Sequence, residues 1–383
     1  MSRLTPTERV ALLTIAILTA IAGAANYSQW AAVPRFALAT LALAGLAWVV
    51  SFATEQLGER FGPAVTGMMQ STLGNLPELF VVIFALQKGE LVVAQTAIVG
   101  SIFANAMLVL GLVIVVGALR APDGVMRFSH RLPRDTATLL LVCVFIIVLL
   151  GLSLAAHDPA SHHVDVISAV GAVSLLVVYL AWVVPYLRAD KLPGEEDEAS
   201  GSSAGEAQAS RAPSEGETVG PSARSPERAG PRLSLRLTLA LLLVAGVASA
   251  FVSDWFVNGL EPAIVQLKIS QAFAGLVIVA IAGNAVENTA GLVLAWKGRS
   301  DLAISVVKNS VAQIAAFLFP LLVLISFLLA TTLTFALAPV YIGALLVMAL
   351  AMWQVTADGE AAAFEGWALV ALYVILATLT LFE

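Results

Sequence analysis

Two five-residue stretches, Gly74-Asn75-Leu76-Pro77-Glu78 and Gly283-Asn284-Ala285-Val286-Glu287, each set a carboxylate inside an otherwise apolar run long enough to cross a bilayer. An ionisable group at that depth is costly to keep and marks a functional site by default. The two copies also share a frame. Lys88-Gly89 and Lys297-Gly298 begin 14 residues past the first Gly of each copy, and Ser101 and Ser310 both lie 27 past it. Coincidence at three offsets identifies an internal repeat, which any fold of this chain must reproduce.

Apolar residues make up 59% of the 383 and charged residues only 12%, so the chain reads as an all-α polytopic membrane protein and not as a soluble globule. Runs of the required ~20 residues predict eleven spans, near 9–28, 34–54, 64–87, 91–118, 134–155, 163–187, 234–257, 270–296, 300–327, 330–352 and 362–382. The first, with Arg3 and Arg9 before it and small residues at Gly23-Ala24-Ala25, has the outline of a signal peptide but is long enough to span, and is read as a span. The single cysteine, Cys143, excludes an intrachain disulfide and a thiolate metal cluster, and reads as an apolar filler.

With the N-terminus cytoplasmic, 16 of the 20 Lys and Arg fall in cytoplasmic segments, including Arg120, Arg127, Arg131 and Arg134 in one loop; Arg35, Lys88 and Lys268 fall outside and Lys308 within a span. The positive-inside rule therefore orients the chain N-terminus in and C-terminus out. Five spans separate the third from the eighth, so the two Gly-Asn-x-x-Glu segments cross in opposite directions and the repeat is inverted. Inverted repeats with a binding site near the bilayer midplane build many secondary transporters. The divisions expected are a first helix over 1–31, a first repeat over 32–187, a linker over 188–232 and a second repeat over 233–383. The linker is rich in Ser, Gly, Pro, Ala and Glu and contains Glu195-Glu196-Asp197-Glu198, a composition that buries no core and reads as a flexible cytoplasmic tether.

A divalent cation such as Ca²⁺ takes six to eight oxygen ligands, and two carboxylates neutralise it. Glu78 and Glu287 supply the pair, and inverted symmetry brings them to one centre. Asn75 and Asn284 each precede their glutamate by three residues, on the same helical face. Ser101 with Asn105, and Ser310 with Gln313, add hard oxygens from the following spans. The glycines allow close helix approach or a break that frees carbonyls, and Pro77 removes a backbone donor. A buried carboxylate without its cation favours the protonated form and cation binding favours the charged one, so ion and protons compete for the same oxygens. Glu78 and Glu287 are thus the proton-coupling residues as well, and no further cofactor is needed.

At these residues the chain resembles the calcium/cation antiporter superfamily, most closely its Ca²⁺/H⁺ (CAX-type) branch. The resemblance rests on Ala53-Thr54-Glu55-Gln56-Leu57, Gly100-Ser101 with Asn105 and Leu108-Val109-Leu110-Gly111, Phe273-Ala274-Gly275-Leu276, the second Gly-Asn-x-x-Glu, and Gln313 seven residues before Pro320. It implies one lone helix plus two inverted five-helix repeats joined by an acidic cytoplasmic loop, which accommodates eleven spans. Three positions depart from the branch: Asn288 stands where His is usual, Gln70 where Asn is common, and Lys308-Asn309-Ser310 replaces an apolar-Gly-Ser sequence.

The expectation is a secondary active transporter of a bacterial inner membrane, exchanging Ca²⁺ or a related cation for protons by alternating access. A Na⁺ or K⁺ exchanger of the same superfamily and a non-transporting cation sensor are the alternatives. An enzyme is not expected, because no His or Cys lies beside the carboxylates, nor is a nucleic-acid partner; a homo-oligomer remains open. The outer-loop group His157, Asp158, His162, His163 and Asp165 is spaced irregularly and reads as solvated. Lys308 reads in two ways. Its stem reaches back to water, or its ammonium approaches the emptied carboxylate centre and, as a modulator, reduces the protons exchanged per cation.

Overall fold

The computed structural model describes residues 4–58, 60, 69, 73–129, 131–189 and 232–383; the side chains at 58, 131–135, 186–189, 286 and 287 lie outside that set, as does most of the linker. The described chain is almost wholly helical: α1 (Pro6–Tyr27), α2 (Ala32–Gly58), α3 (Leu76–Gln87), α4 (Leu91–Arg120), α5 (Arg131–Ala156), α6 (Val164–Ala189), α7 (Leu235–Leu267), α8 (Gln271–Gly283), α9 (Ala285–Trp296), α10 (Ser300–Ser326), α11 (Pro339–Thr356) and α12 (Ala363–Leu381). Local signals set several ends. Thr5 and Glu8 form a capping box around Pro6, Pro339 opens α11, and Lys268 terminates α7 in the left-handed conformation at φ 55°.

Among the described residues nine helices are long and apolar enough to cross a membrane, or ten when α8 and α9 count as one broken span. The difference from eleven lies at the third expected span, of which only α3, with 12 residues, forms a described continuous helix. Two boundaries also move. α7 continues ten residues beyond its expected end, because its apolar pattern runs on past Pro262. The tenth span starts at Pro339 and not near 330, because Ser326 folds the preceding segment back, accepting from Leu333 N at 2.9 Å.

Contacts between distant loops sort the helix ends onto two faces, and every pairing matches the parity of the expected spans. On one face Glu8 pairs with Arg232 at 3.0 Å, Arg60 donates to Leu233 O at 2.6 Å, and Ser129 N donates to Asp301 at 2.6 Å. There too β1 (Val125–Arg127), between α4 and α5, pairs antiparallel with β2 (Glu360–Ala362), between α11 and α12, reinforced by Arg127–Glu360 at 3.2 Å. This is the basic face. On the opposite face Lys88 pairs with Asp254 and Asn258, both at 2.7 Å, and Gln271 donates to Glu90 at 2.9 Å.

The interior is closed by glycine-mediated contacts between the halves. A Cβ on Gly100 would lie 2.5 Å from Leu276 Cα, and one on Gly275 would lie 2.0 Å from Thr96 Oγ1, so α4 and α8 cross backbone to backbone. α4 and α12 approach the same way at Gly111 and Gly366. Around this crossing three helices loosen into π-turns, at Ala104–Val109 in α4, Ala274–Val279 in α8 and Ile314–Leu318 in α10. Such turns re-aim side chains and concentrate at functional sites.

Candidate cation site at the crossing of the two repeats

Both Gly-Asn-x-x-Glu copies interrupt their helices at the Asn. Asn75 (φ −84°, ψ 4°) and Asn284 (φ −99°, ψ 13°) fall outside helical geometry, and each carbonyl accepts the amide four residues on, Leu79 and Asn288, at 3.0 Å. The helix therefore restarts at once after each break. In the second copy the two segments meet at a bend of 56°. The sequence allowed either close approach or a break; at Gly283 the structure has the break, and a Cβ there would make an ordinary contact with the Glu78 Cβ at 3.7 Å.

That contact brings the first-half carboxylate to the second-half break. Glu78 is 1% exposed, and Ser101 donates to its Oε1. Asn284 Nδ2 in turn donates to Ser101 Oγ and to Ala280 O, each at 2.9 Å. Asn105 Nδ2 closes the network on Ser101 O at 3.0 Å and on Asn284 Oδ1 at 3.1 Å. Glu78, Ser101, Asn105 and Asn284 thus join α3, α4 and the α8–α9 break in one buried network. Glu78 lies nine residues before the end of α3, ~14 Å at 1.5 Å per residue, close to half of a ~30 Å core.

The remaining predicted residues are placed less closely. Asn75 is 4% exposed, Ser310 1% and Gln313 2%. The helix carrying Ser310 and Gln313, α10, packs on the π-turn that holds Asn105 and on α9. The Glu287 side chain lies outside the described residues; its backbone sits in the first turn of α9, next to the network. Gln70 also lies outside them.

Sequence reasoning passed over Ser249 and Ser253 of α7. Ser253 Oγ donates to Pro77 O at 3.3 Å, beside Glu78, and the Ser249 hydroxyl is buried with no hydrogen-bond partner among the described residues. The signal was present, since two serines four apart share one face of an apolar helix. Asn105 Oδ1, Asn288 Oδ1 and Asn309 Oδ1 are likewise buried acceptors without a described partner. Buried acceptors are normally satisfied, and Asn105 Oδ1, on a residue of the Glu78 network, is one left over for a cation.

Lys308 corrects one expectation. It is 1% exposed, so its ammonium does not reach back to water. Its Nζ donates to Thr356 Oγ1 at 2.6 Å, and Thr356 donates to Met352 O at 2.7 Å, so the charge is held at the C-terminal end of α11, where the helix dipole is negative.

The sequence model of the family described as sodium/calcium exchanger protein matches residues 31–185 and 237–382. The chain belongs to that family. It is 30% identical over 359 residues to a vacuolar calcium ion transporter of Schizosaccharomyces pombe, covering 92% of this chain and 80% of that one. It is 29% identical over 372 residues to a Ca²⁺/H⁺ antiporter of Synechocystis, covering 97% of each. Among solved structures it shares its fold with native YfkE, at TM-score 0.75 and 23% identity over 97% of this chain and 100% of that one. The H⁺/Ca²⁺ exchanger CAX superposes at TM-score 0.69 and 15% identity, covering 98% of this chain and 94% of the other. In this exchanger α1 precedes the first matched segment, and residues 186–236 lie between the two matched segments.

Proposed function

We propose that this exchanger moves Ca²⁺ against protons by alternating access, with Glu78 and Glu287 carrying both the cation and the protons. The observation that carries the reading is the Glu78–Ser101–Asn284–Asn105 network, in which oxygens from both repeats gather around a fully buried carboxylate and Asn105 Oδ1 is left over as an acceptor. Seated there, a cation takes oxygens from both halves at once, and protons take its place when it leaves. The Ca²⁺/H⁺ antiporters of Synechocystis and Bacillus subtilis, matched over 97% of this chain, support the choice of ions. The test is flux in proteoliposomes under an imposed pH gradient, repeated with Ca²⁺, Na⁺ and K⁺. Uptake of Na⁺ or K⁺ in preference to Ca²⁺ would replace this reading with a monovalent exchanger.

We assign the basic face to the cytoplasm of a bacterial inner membrane, following the asymmetry of Lys and Arg. In a Cys143→Ala background, Ser202→Cys is expected to react with an impermeant maleimide only from the cytoplasmic side and Ser161→Cys only from the other. The reverse pattern would invert the assignment.

Lys308 enters as a modulator. It lies two residues before Ser310 on the same helix and places a cationic group inside the bundle that holds the carboxylates. Lys308→Ala is expected to change the charge moved per Ca²⁺ and the pH profile of exchange, read by solid-supported-membrane currents alongside Ca²⁺ uptake. If both are unchanged, Lys308 is a structural tie between α10 and α11 and nothing more.

A further inference from the structure

Between α1, α2 and α7 lies an apolar groove of about 620 Å³, running along α1 from Leu12 to Tyr27 and floored by Leu46, Val49 and Leu241. Fifteen helical steps from Leu12 to Tyr27 make it ~22 Å long, more than the ~15 Å depth of one leaflet. Its length and its almost wholly apolar lining suit an acyl chain. Trp255 closes its end on the face opposite the basic one. The indole packs into the space left by Gly23, where a Cβ would lie 2.8 Å away, and meets Tyr27 edge-on at 5.8 Å. Trp and Tyr gather at the headgroup level of a bilayer.

Beyond Tyr27, the first turn of α2 carries a cation whose hydrogen bonding is incomplete. Arg35, one of the few basic residues on this face, is only 9% exposed. Its Nη1 donates to Gln29 Oε1 at 2.9 Å, while its Nε is buried with no hydrogen-bond partner. Among the described residues no carboxylate lies within ion-pair distance of it. The contact is built at some cost. Gln29 adopts φ 50°, a left-handed conformation uncommon for a residue other than Gly, and its amide is fixed by donating to Asn26 O at 3.0 Å. A buried guanidinium with a spare N–H calls for an anion, and its fork geometry fits phosphate.

We propose that the α1–α2–α7 groove binds one phospholipid, its acyl chain along α1 and its phosphate on the Arg35 guanidinium. The lipid then supplies packing that protein does not. α1 and α7 each have only 22% of their apolar window buried, and the chain in the groove completes the contact of α1 with α2 and α7. Because the inference rests on the groove and on Arg35, neither of which belongs to the cation site, it stands or falls separately from the transported ion.

The full-length protein in detergent, incubated with phosphatidylglycerol and analysed by native mass spectrometry, should retain one lipid per chain. Arg35→Gln should lower retention at least tenfold, and so should Ala20→Trp, which fills the groove from the exposed side of α1 without touching Arg35. A diacylglycerol of the same chain length should not be retained. Equal retention by Arg35→Gln and the parent chain would overturn the proposal. So would displacement of the lipid by millimolar inorganic phosphate, which would make Arg35 a free-anion site, or a covalent dimer through Ala20→Cys, which would give the groove to a second copy. Ca²⁺ uptake by each variant in proteoliposomes shows that it is inserted and folded.

Discussion

Glu78→Gln abolishes pH-driven Ca²⁺ uptake while leaving the protein folded in the membrane. The amide keeps the shape of the side chain and can still accept from Ser101, so the network survives in outline. What goes is one of the two negative charges that offset a divalent ion and one of the two groups that carry protons back. Removing one partner from a buried charge-assisted arrangement costs on the order of 3 kcal/mol or more, a hundredfold or greater in affinity. Glu287→Gln is expected to match it, because the repeat gives it the same place in the other half. Asn105→Ala removes one neutral oxygen and is expected to weaken uptake by roughly tenfold, about 1.4 kcal/mol, as for one ordinary hydrogen bond. The measurement is Ca²⁺ uptake into proteoliposomes at saturating pH gradient, with thermal midpoints taken in parallel. Near-parental exchange by both glutamate variants would remove the site from the crossing of the repeats.

The sequence made this much of the site legible because repetition and hydropathy are both one-dimensional. Two matching Gly-Asn-x-x-Glu copies separated by an odd number of spans dictate inversion, and inversion dictates a shared centre. Individual side chains were harder. Ser101, Asn105 and Asn284 meet only because each helix deviates from regularity at the right place, at the Asn284 break and at the π-turn beginning with Ala104. A 3.6-residue periodicity read along the chain cannot show those deviations. Ser249 and Ser253 were overlooked because serines are common in apolar helices and nothing in the repeat doubles them. Lys308 shows a different limit: its depth was evident, but whether the stem turned to water or to protein depended on Thr356, 48 residues away in the chain.

Gly100→Ala tests the crossing itself, and its sign is opposite to what helix propensity alone gives. In a helix interior Ala is favoured over Gly by about 1 kcal/mol. At Gly100, however, the new Cβ would stand 2.5 Å from Leu276 Cα and 2.6 Å from Leu276 O. These are backbone atoms of α8, which cannot rotate out of the way as a side chain can. α4 must then move off α8, and Ser101, the next residue, moves with it away from Asn284 and Glu78. Overpacking of this kind costs ~1–3 kcal/mol or more, so the thermal midpoint falls and Ca²⁺ uptake is lost even though no ligand has been altered. Gly246→Ala provides the contrast. Gly246 lies within α7, and nothing stands within 4 Å of its added Cβ, so the same substitution there should raise the midpoint, by roughly the helix-propensity gain, and leave uptake intact. If Gly100→Ala behaved like Gly246→Ala, the backbone contact between α4 and α8 would not be what holds the oxygens of the two repeats together.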